Sequence, residues 1–250
     1  MVAILRDRKE QENYTNHVLD LTFPTVGKIQ IIDVTGLSFS EKAEYAYKIR
    51  VQRSENLIPD TLLLWYPNSQ SPIISVPATD RGDLIASNAK SHGYQVVVSP
   101  VRRERDFMRN CYIYFNDYTY QFVSRNATDK IGTKMVGSAI ASKLFTSLDV
   151  PKLMIMKKSN NIHSGTGKIG GSANFVQYGI STSKLAITMD FDYDMAENIF
   201  EREDNIRTRV LSLNKVLKRK ISILELKNGI IKAVNETFPY CDLEEIRGDY

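Results

Sequence analysis

The chain has 250 residues, of which 42% are hydrophobic and 25% charged, a composition typical of a soluble globular protein. Its 33 basic and 29 acidic residues give a formal net charge of +4, which tolerates anionic partners but does not demand nucleic acid. No apolar run is long enough for a transmembrane helix, and the charged N-terminus lacks the apolar core of a secretory signal. The two cysteines form no Cys-x-x-Cys pair, so we expect no disulfide framework and no metal cluster, and a cytoplasmic location.

The N-terminal third combines a polar segment with a first strand and helix. Residues 1–28 are predicted to be a loosely held lead-in, and the absence of a clear linker predicts a single domain over 29–250. The apolar run 29–34 predicts a strand. Ser38 and Glu41 form a capping box that predicts the start of a helix ending near residue 53.

The next segment predicts two strands and a helix. The runs 61–66 and 71–76 are joined by Pro-Asn-Ser-Gln, which predicts a β-hairpin with Trp65 in the core. A helix is predicted over 80–92, ended by Gly93, and a strand follows at 94–99.

Residues 111–123 carry tyrosines at even positions, which predicts two strands with an exposed or half-exposed aromatic face and a turn at 116–117. A helix capped at Asp129 is predicted to run to about residue 148. Strands at 152–157 and 183–189 and helices at 192–201 and 221–238 complete the chain. Because the strands cluster and helices interrupt them irregularly, we predict an α+β fold with a mixed, largely antiparallel sheet flanked by helices.

A glycine-rich stretch from Asn160 to Phe175 is the strongest candidate for a site. Four of the 13 glycines fall between residues 165 and 171, around Lys168. Bare backbone N–H groups together with an ammonium can bind a phosphate or a carboxylate. The alternative is an ordinary β-hairpin turn that carries a solvated lysine.

The three histidines lie far apart in sequence, with no cysteine or carboxylate at ligand spacing, so no metal site is predicted. His163 lies five residues before Lys168. It is a candidate base or phosphate contact, and an exposed loop histidine is the alternative.

The residues at 160–162 and 167–173 read Asn-Asn-Ile and Gly-Lys-Ile-Gly-Gly-Ser-Ala. This pattern resembles the lysine motif of the lipoate–protein ligase family, roughly Asn-Asp-Ile followed by Lys-Lys-Ile-x-Gly-(Ser/Ala)-Ala. Further segments at 62–76, 83–93 and 206–213 resemble the family in the same order, so the resemblance covers about residues 29–240.

The resemblance implies the fold shared by lipoate ligases, octanoyltransferases and the catalytic domain of biotin ligases. It also implies an acyltransferase that activates lipoate or octanoate with ATP and magnesium. The acyl group then passes to a lysine of a small lipoyl acceptor domain, and a separate protein could supply an accessory domain. No membrane partner is implied, and nucleic acid remains a distant alternative.

By the same resemblance, Lys168 is the catalytic residue, which neutralises charge on the carboxylate and α-phosphate oxygens. Residues implied to bind the substrate or the adenylate match the family motifs or lie near them: Arg102, Arg103, Asn161, Gly167, Gly170, Gly171, Ser172 and Lys184.

One family signature is altered. The family has a double arginine followed by a glycine triplet and a histidine, whereas this chain retains Arg102 and Arg103 and then carries Asp106, Phe107 and Met108. The sequence therefore leaves two functions open. One is an acyl ligase with a rebuilt pocket, and the other is an inactive protein of the same fold that binds a nucleotide, an acyl group or a partner.

Overall fold

A computed structural model describes residues 18–66, 73–77, 86–93, 95–99, 112–114, 117–125, 129–156, 161–199 and 206–247. Eight of the strands in these ranges form one sheet in the order β11-β1-β2-β6-β10-β9-β8-β7, and three form a second sheet in the order β4-β3-β5. The strands are β1 (Gly27–Asp33), β2 (Asp60–Trp65), β3 (Ile73–Pro77), β4 (Gln95–Ser99), β5 (Tyr112–Tyr114), β6 (Asp117–Ser124), β7 (Leu153–Ile155), β8 (Asn161–Ser164), β9 (Gly167–Gln177), β10 (Ile180–Thr188) and β11 (Cys241–Ile246).

In the large sheet β1 pairs in parallel with β2 and β11, and the other neighbouring strands pair antiparallel. The described helices are α1 (Phe39–Ser54), α2 (Ala86–Ser91), α3 (Lys130–Ser147), α4 (Tyr193–Ile199), α5 (Ile206–Arg209), α6 (Leu213–Leu217) and α7 (Ile223–Thr237). The predicted α+β fold with a mixed, largely antiparallel sheet is therefore confirmed. None of these helices is both long enough and apolar enough to cross a bilayer.

The large sheet buries both of its faces. On one face α3 and α7 cover a core that includes Leu62, Phe122 and Leu185. On the other face α1 packs against a smaller core that includes Leu63 and Ile180. Because side chains alternate along a strand, each central strand contributes to both cores, and we call these surfaces the α3 face and the α1 face.

The helix boundaries follow the local signals. Ser38 accepts a hydrogen bond from the backbone N–H of Glu41, and the Glu41 carboxylate accepts one from the backbone N–H of Ser38. Asp129 accepts a bond from the N–H of Gly132 at the start of α3. Gly93 follows α2 with φ of 80°, a left-handed conformation that glycine adopts without steric cost. These predicted caps are confirmed.

The predicted β-hairpin over 61–76 is wrong, although both of its strands exist. β2 pairs with β1 and β6 in the large sheet, whereas β3 pairs with β4 and β5 in the small one. All six residues of β2 are buried, because strands flank both of its edges and a core covers each face of the sheet there. In the same way β5 and β6, predicted as neighbours across a turn, belong to different sheets.

Two predictions about exposure also need correction. Tyr120 is only 1% exposed, in the core on the α3 face rather than on an open aromatic face, and burial raises the pKa of its phenol. The lead-in is not loosely held over residues 18–26. Val18 is fully buried, and Phe23 packs on Phe238 with ring centroids 5.5 Å apart while its N–H donates to the Thr237 carbonyl.

Candidate functional site

The glycine-rich stretch folds as strands β8 and β9, joined by a tight turn at Gly165. In this pair His163 lies opposite Lys168 and Asn161 lies opposite Gly171. The register shifts between Ile162 and His163, so β9 carries one extra residue there. Such β-bulges redirect side chains and are frequent beside active sites.

The bulge determines which side chains share a face of the sheet. Ile162 and Ile169 are both buried in the core on the α3 face. Their chain neighbours His163 and Lys168 therefore point to the α1 face. Without the extra residue, Lys168 and Gly171 would point to opposite faces. With the bulge they share the α1 face, and the Lys168 side chain extends over Gly171.

Lys168 is buried, with 5% of its surface exposed. A Cβ at position 171 would lie 3.3 Å from Cε and 3.3 Å from Nζ of Lys168, and 3.6 Å from Oδ1 of Asn161. The ammonium and the amide oxygen therefore converge on the space that Gly171 leaves open. A solvated lysine on a hairpin turn, the alternative left open by the sequence, is wrong.

The other glycines of the motif have structural reasons of their own. A Cβ on Gly170 would lie 2.6 Å from the backbone oxygen of Ala186 in the adjacent strand. A Cβ on Gly167 would lie 2.3 Å from Cγ of Leu211. Gly170 thus permits close pairing of β9 with β10, and Gly167 makes room for Leu211. Of the three predicted glycines, Gly171 is the one that faces the Lys168 amine.

The segment that follows α5 holds the Lys168 backbone. The N–H of Leu211 donates to the Lys168 carbonyl at 2.8 Å, and Val210 forms an isolated parallel bridge with Lys168. The side chain of Leu211 fills the space beside Gly167. Lys168 is therefore fixed from both sides, by β8 and by this segment.

Lys184 lies on β10 and is also buried, at 6% exposure. It pairs with Ala173 of β9 and Gln121 of β6, and Ala186, two residues along the same strand, pairs with Gly171. Residues two apart on a strand share a face, so Lys184 faces the same side as Gly171 and Lys168.

Ser172 does not share this face. It pairs with Leu185, which is buried in the core on the α3 face, and its Oγ accepts a hydrogen bond from Asn174 Nδ2 at 3.2 Å. The structure therefore separates its side chain from Lys168. The predicted residues Arg102 and Arg103 lie outside the described residues, and within the described ranges no group of three His, Cys, Asp or Glu side chains is placed to hold a metal ion.

Two polar residues on the α1 face lie outside the set of site residues that the family resemblance implies. His163 is half-buried on β8 rather than exposed on a loop. Lys42 of α1 is 5% exposed, and its Nζ lies 4.5 Å from the ring centroid of Trp65. A sequence signal for Lys42 existed, because it precedes the buried Ala46 and Ile49 by four and seven residues on one side of α1.

The α1 face thus combines three buried ammonium groups with the open backbone at Gly171. The arrangement suits an anionic ligand whose carboxylate or phosphate oxygens lie over Gly171, where Lys168 can neutralise them.

Comparison with solved structures identifies the fold as that of lipoate–protein ligases. No protein-family model matches the chain, and no characterised protein matches it by sequence. The similarity therefore rests on structure, at sequence identities below 20%.

Three of these structures match with about the same quality. The bipartite lipoate protein ligase of Thermoplasma acidophilum, described with its E2 lipoyl domain, is 16% identical with a TM-score of 0.65, over 90% of this chain and 88% of its own. Lipoate-protein ligase A bound with ATP is 16% identical with a TM-score of 0.66, over 90% of each chain. Protein Ta0514 of T. acidophilum with bound lipoic acid is 18% identical with a TM-score of 0.61, again over 90% of each chain.

Proposed function

We propose that this protein is a lipoate–protein ligase-like acyltransferase. It activates lipoate or octanoate with ATP and transfers the acyl group to a lysine of a lipoyl acceptor domain. The observation that carries the proposal is the buried Lys168 ammonium at the β-bulge, directed over Gly171 beside Asn161.

The chemistry of activation explains why a buried cation belongs there. The acid's carboxylate oxygen attacks the α-phosphorus of ATP, and pyrophosphate leaves with the electron pair of the broken P–O bond. The reacting carboxylate and phosphate are both anions and repel each other. A fixed ammonium that is shielded from water neutralises them far more effectively than one in bulk solvent. A lysine suits this role because its charge is compact, whereas arginine presents a broad planar fork.

The remaining residues have supporting roles in this proposal. Asn161 directs its amide oxygen to the same space as the ammonium and orients the bound adenylate. Lys184 adds a second buried positive charge on the α1 face. Arg102 and Arg103 contribute phosphate contacts, and magnesium, brought with ATP, screens the phosphate charge.

The protein's setting follows from the same proposal. Residues 29–250 act as one catalytic domain in the cytoplasm, and a lipoyl domain is the acyl acceptor. Two of the similar structures support the proposed acceptor and the proposed nucleotide. One is a ligase studied together with its E2 lipoyl domain, and the other is a ligase bound with ATP. A separate protein supplies the accessory domain.

The second candidate is a protein of the same fold that binds a nucleotide, an acyl group or a partner without catalysis. The side chains of Asp106, Phe107 and Met108, which replace the family's glycine triplet, favour it. These side chains would fill space that bare backbone leaves open to the ligand in the family.

Thermal unfolding in the presence of ligands separates the two candidates. A ligand that binds only the folded state raises the melting temperature according to its occupancy. We expect ATP–magnesium and octanoate or lipoate together to produce a larger shift than the sum of the separate shifts, with acid-dependent exchange of pyrophosphate into ATP. A shift with one ligand alone and no exchange would favour the binding protein. The absence of any shift would refute the ligase, and it would restrict the second candidate to a protein that binds a partner.

A further inference from the structure

We infer that Tyr193 is a positioning residue for Lys168, and that it acts on the lysine through the peptide group between Val210 and Leu211. This inference rests on the proposed function, in which Lys168 neutralises the reacting anions. Tyr193 is half-buried at the start of α4 and lies outside the set of residues that the family resemblance implies.

Lys168 lies where the support of β9 changes along its length. The pairing of β9 with β10 reaches Gly170, whose partner is Ile187. At Lys168 the partner strand on one edge is β8, and the bridge on the other edge is made by Val210. The Lys168 backbone is therefore held on that edge by a short loop, whereas the rest of β9 is held there by a long strand.

One peptide group of this loop makes two hydrogen bonds. The carbonyl of Val210 and the N–H of Leu211 belong to the same planar unit. The N–H donates to the Lys168 carbonyl at 2.8 Å, and the carbonyl accepts a bond from the Tyr193 hydroxyl at 3.0 Å. In a trans peptide the two groups point in opposite directions, so Tyr193 and Lys168 hold the same peptide from its two sides. Donation to the carbonyl also polarises the peptide and makes its N–H a stronger donor.

Two cations hold the ring of Tyr193 in place. Nζ of Lys215 in α6 lies 4.4 Å from the ring centroid, and Cζ of Arg207 in α5 lies 5.6 Å from it. Two carboxylates of α4 in turn form ion pairs with Arg207. The phenol thus joins α5, the loop that follows it and α6, and it presents its hydroxyl to the loop in a fixed direction.

The position of the Lys168 ammonium depends on this support. Its Nζ lies 3.3 Å from the point that a Cβ at position 171 would occupy, so a backbone shift of a few tenths of an ångström changes its approach to a ligand over Gly171. Electrostatic stabilisation requires that the charge is fixed in place before the reaction begins. Loss of the Tyr193 hydroxyl should therefore reduce the rate of activation rather than the binding of ligands.

Tyr193→Phe tests the inference, because it removes the hydroxyl and retains the ring between its two cations. We expect kcat for acid-dependent exchange of pyrophosphate into ATP to fall about tenfold. KM for ATP and for octanoate should stay within about twofold, since the ammonium acts mainly on charge that develops in the transition state. The melting temperature should fall by only about 2–4 °C, because a single hydrogen bond is lost.

Ser181→Ala is the matched control. Ser181 Oγ donates to the Ser124 carbonyl at 2.9 Å, so this variant also loses one bond from a hydroxyl to a backbone carbonyl. Ser181 lies on β10 five residues from Ala186, the partner of Gly171. We expect a similar loss of melting temperature at the wild-type kcat. An equal fall of kcat in both variants would reduce Tyr193 to a structural residue and overturn the inference.

Hydrogen exchange at the Leu211 amide gives a second readout that needs no activity. The amide should exchange faster in Tyr193→Phe than in the wild type, and at the wild-type rate in Ser181→Ala. Wild-type exchange at Leu211 in Tyr193→Phe would overturn the inference, and so would a wild-type kcat in that variant. A wild type that exchanges no pyrophosphate with octanoate or lipoate refutes the proposed function instead, so the two failures are distinguishable.

Discussion

Gly170 and Gly171 are adjacent glycines whose replacement by alanine should have different effects. Gly171→Ala should lower activity, and Gly170→Ala should lower stability. An alanine Cβ at 171 would lie 3.3 Å from Cε and Nζ of Lys168, so the lysine terminus has to shift by a few tenths of an ångström. The backbone of Gly171 is outside the left-handed region, and the neighbour that must yield is the end of a flexible side chain. Folding therefore tolerates Gly171→Ala, while the placement of the ammonium does not.

The magnitudes follow from these contacts. Removal of a group that stabilises developing charge costs about 100- to 1,000-fold in rate, so a partial displacement should cost about tenfold, or ~1.4 kcal/mol. The stability of Gly171→Ala should change by less than about 1 kcal/mol, because alanine also restricts the unfolded chain. For Gly170→Ala the Cβ would lie 2.6 Å from the Ala186 carbonyl oxygen in the neighbouring strand. Overpacking of that kind costs about 1–3 kcal/mol, which lowers the melting temperature by about 2–12 °C in a chain of this size.

Two measurements on the pair check this reasoning. Acid-dependent exchange of pyrophosphate into ATP reports activation, and thermal unfolding reports stability. We expect Gly171→Ala to slow exchange about tenfold while its melting temperature stays close to that of the wild type, and Gly170→Ala to melt at a lower temperature. The reasoning is refuted if Gly171→Ala exchanges at the wild-type rate, or if it is destabilised as much as Gly170→Ala.

Lys168→Met should abolish pyrophosphate exchange yet retain the circular-dichroism spectrum of the wild type, because methionine fills a similar volume without the charge. Exchange by this variant at the wild-type rate would exclude Lys168 from the site. Asp60 accepts hydrogen bonds from Arg53 Nε and Ser124 Oγ, both at 2.7 Å. Asp60→Asn should destabilise the fold by about 3 kcal/mol in urea unfolding, because a buried ion pair loses one charge. An unchanged urea midpoint would contradict this prediction. Burial raises the pKa of the Cys241 thiol, so less reactive thiolate forms at a given pH. With the other cysteine replaced by serine, iodoacetamide should modify Cys241 more slowly in folded than in urea-unfolded protein until the pH exceeds the raised pKa, and equal rates at pH 8 would contradict the assignment.

Local sequence signals were sufficient to predict those features whose determining interactions join residues close together in the chain. The capping box of Ser38 and Glu41 and the left-handed glycine after α2 each involve a few neighbouring residues. Most of the strands coincide with predicted runs of β-branched and aromatic residues, which favour extended backbone, whereas β8, β9 and β11 were not predicted.

Strand pairing could not be predicted in the same way. β2 and β3 are close in sequence and separated by turn-forming residues, yet each pairs within a different sheet. The partner of a strand is chosen by which edges and cores are available in the folded molecule. That choice involves residues such as Phe122, about 60 positions from its partner Leu62 in β2, and no local pattern contains it.

For the candidate site, too, some features follow from the sequence and others only from the tertiary structure. The sequence by itself determined that Lys168 lies among glycines in the same short stretch as Asn161, and which residues cap the predicted helices. Only the tertiary structure decided that Lys168 is buried in a strand, that a bulge turns it onto the face of Gly171 and opposite His163, and that Ser172 points away. The physical reason is that side-chain direction in a sheet depends on register, and register is fixed by packing of both faces rather than by the residues of one strand.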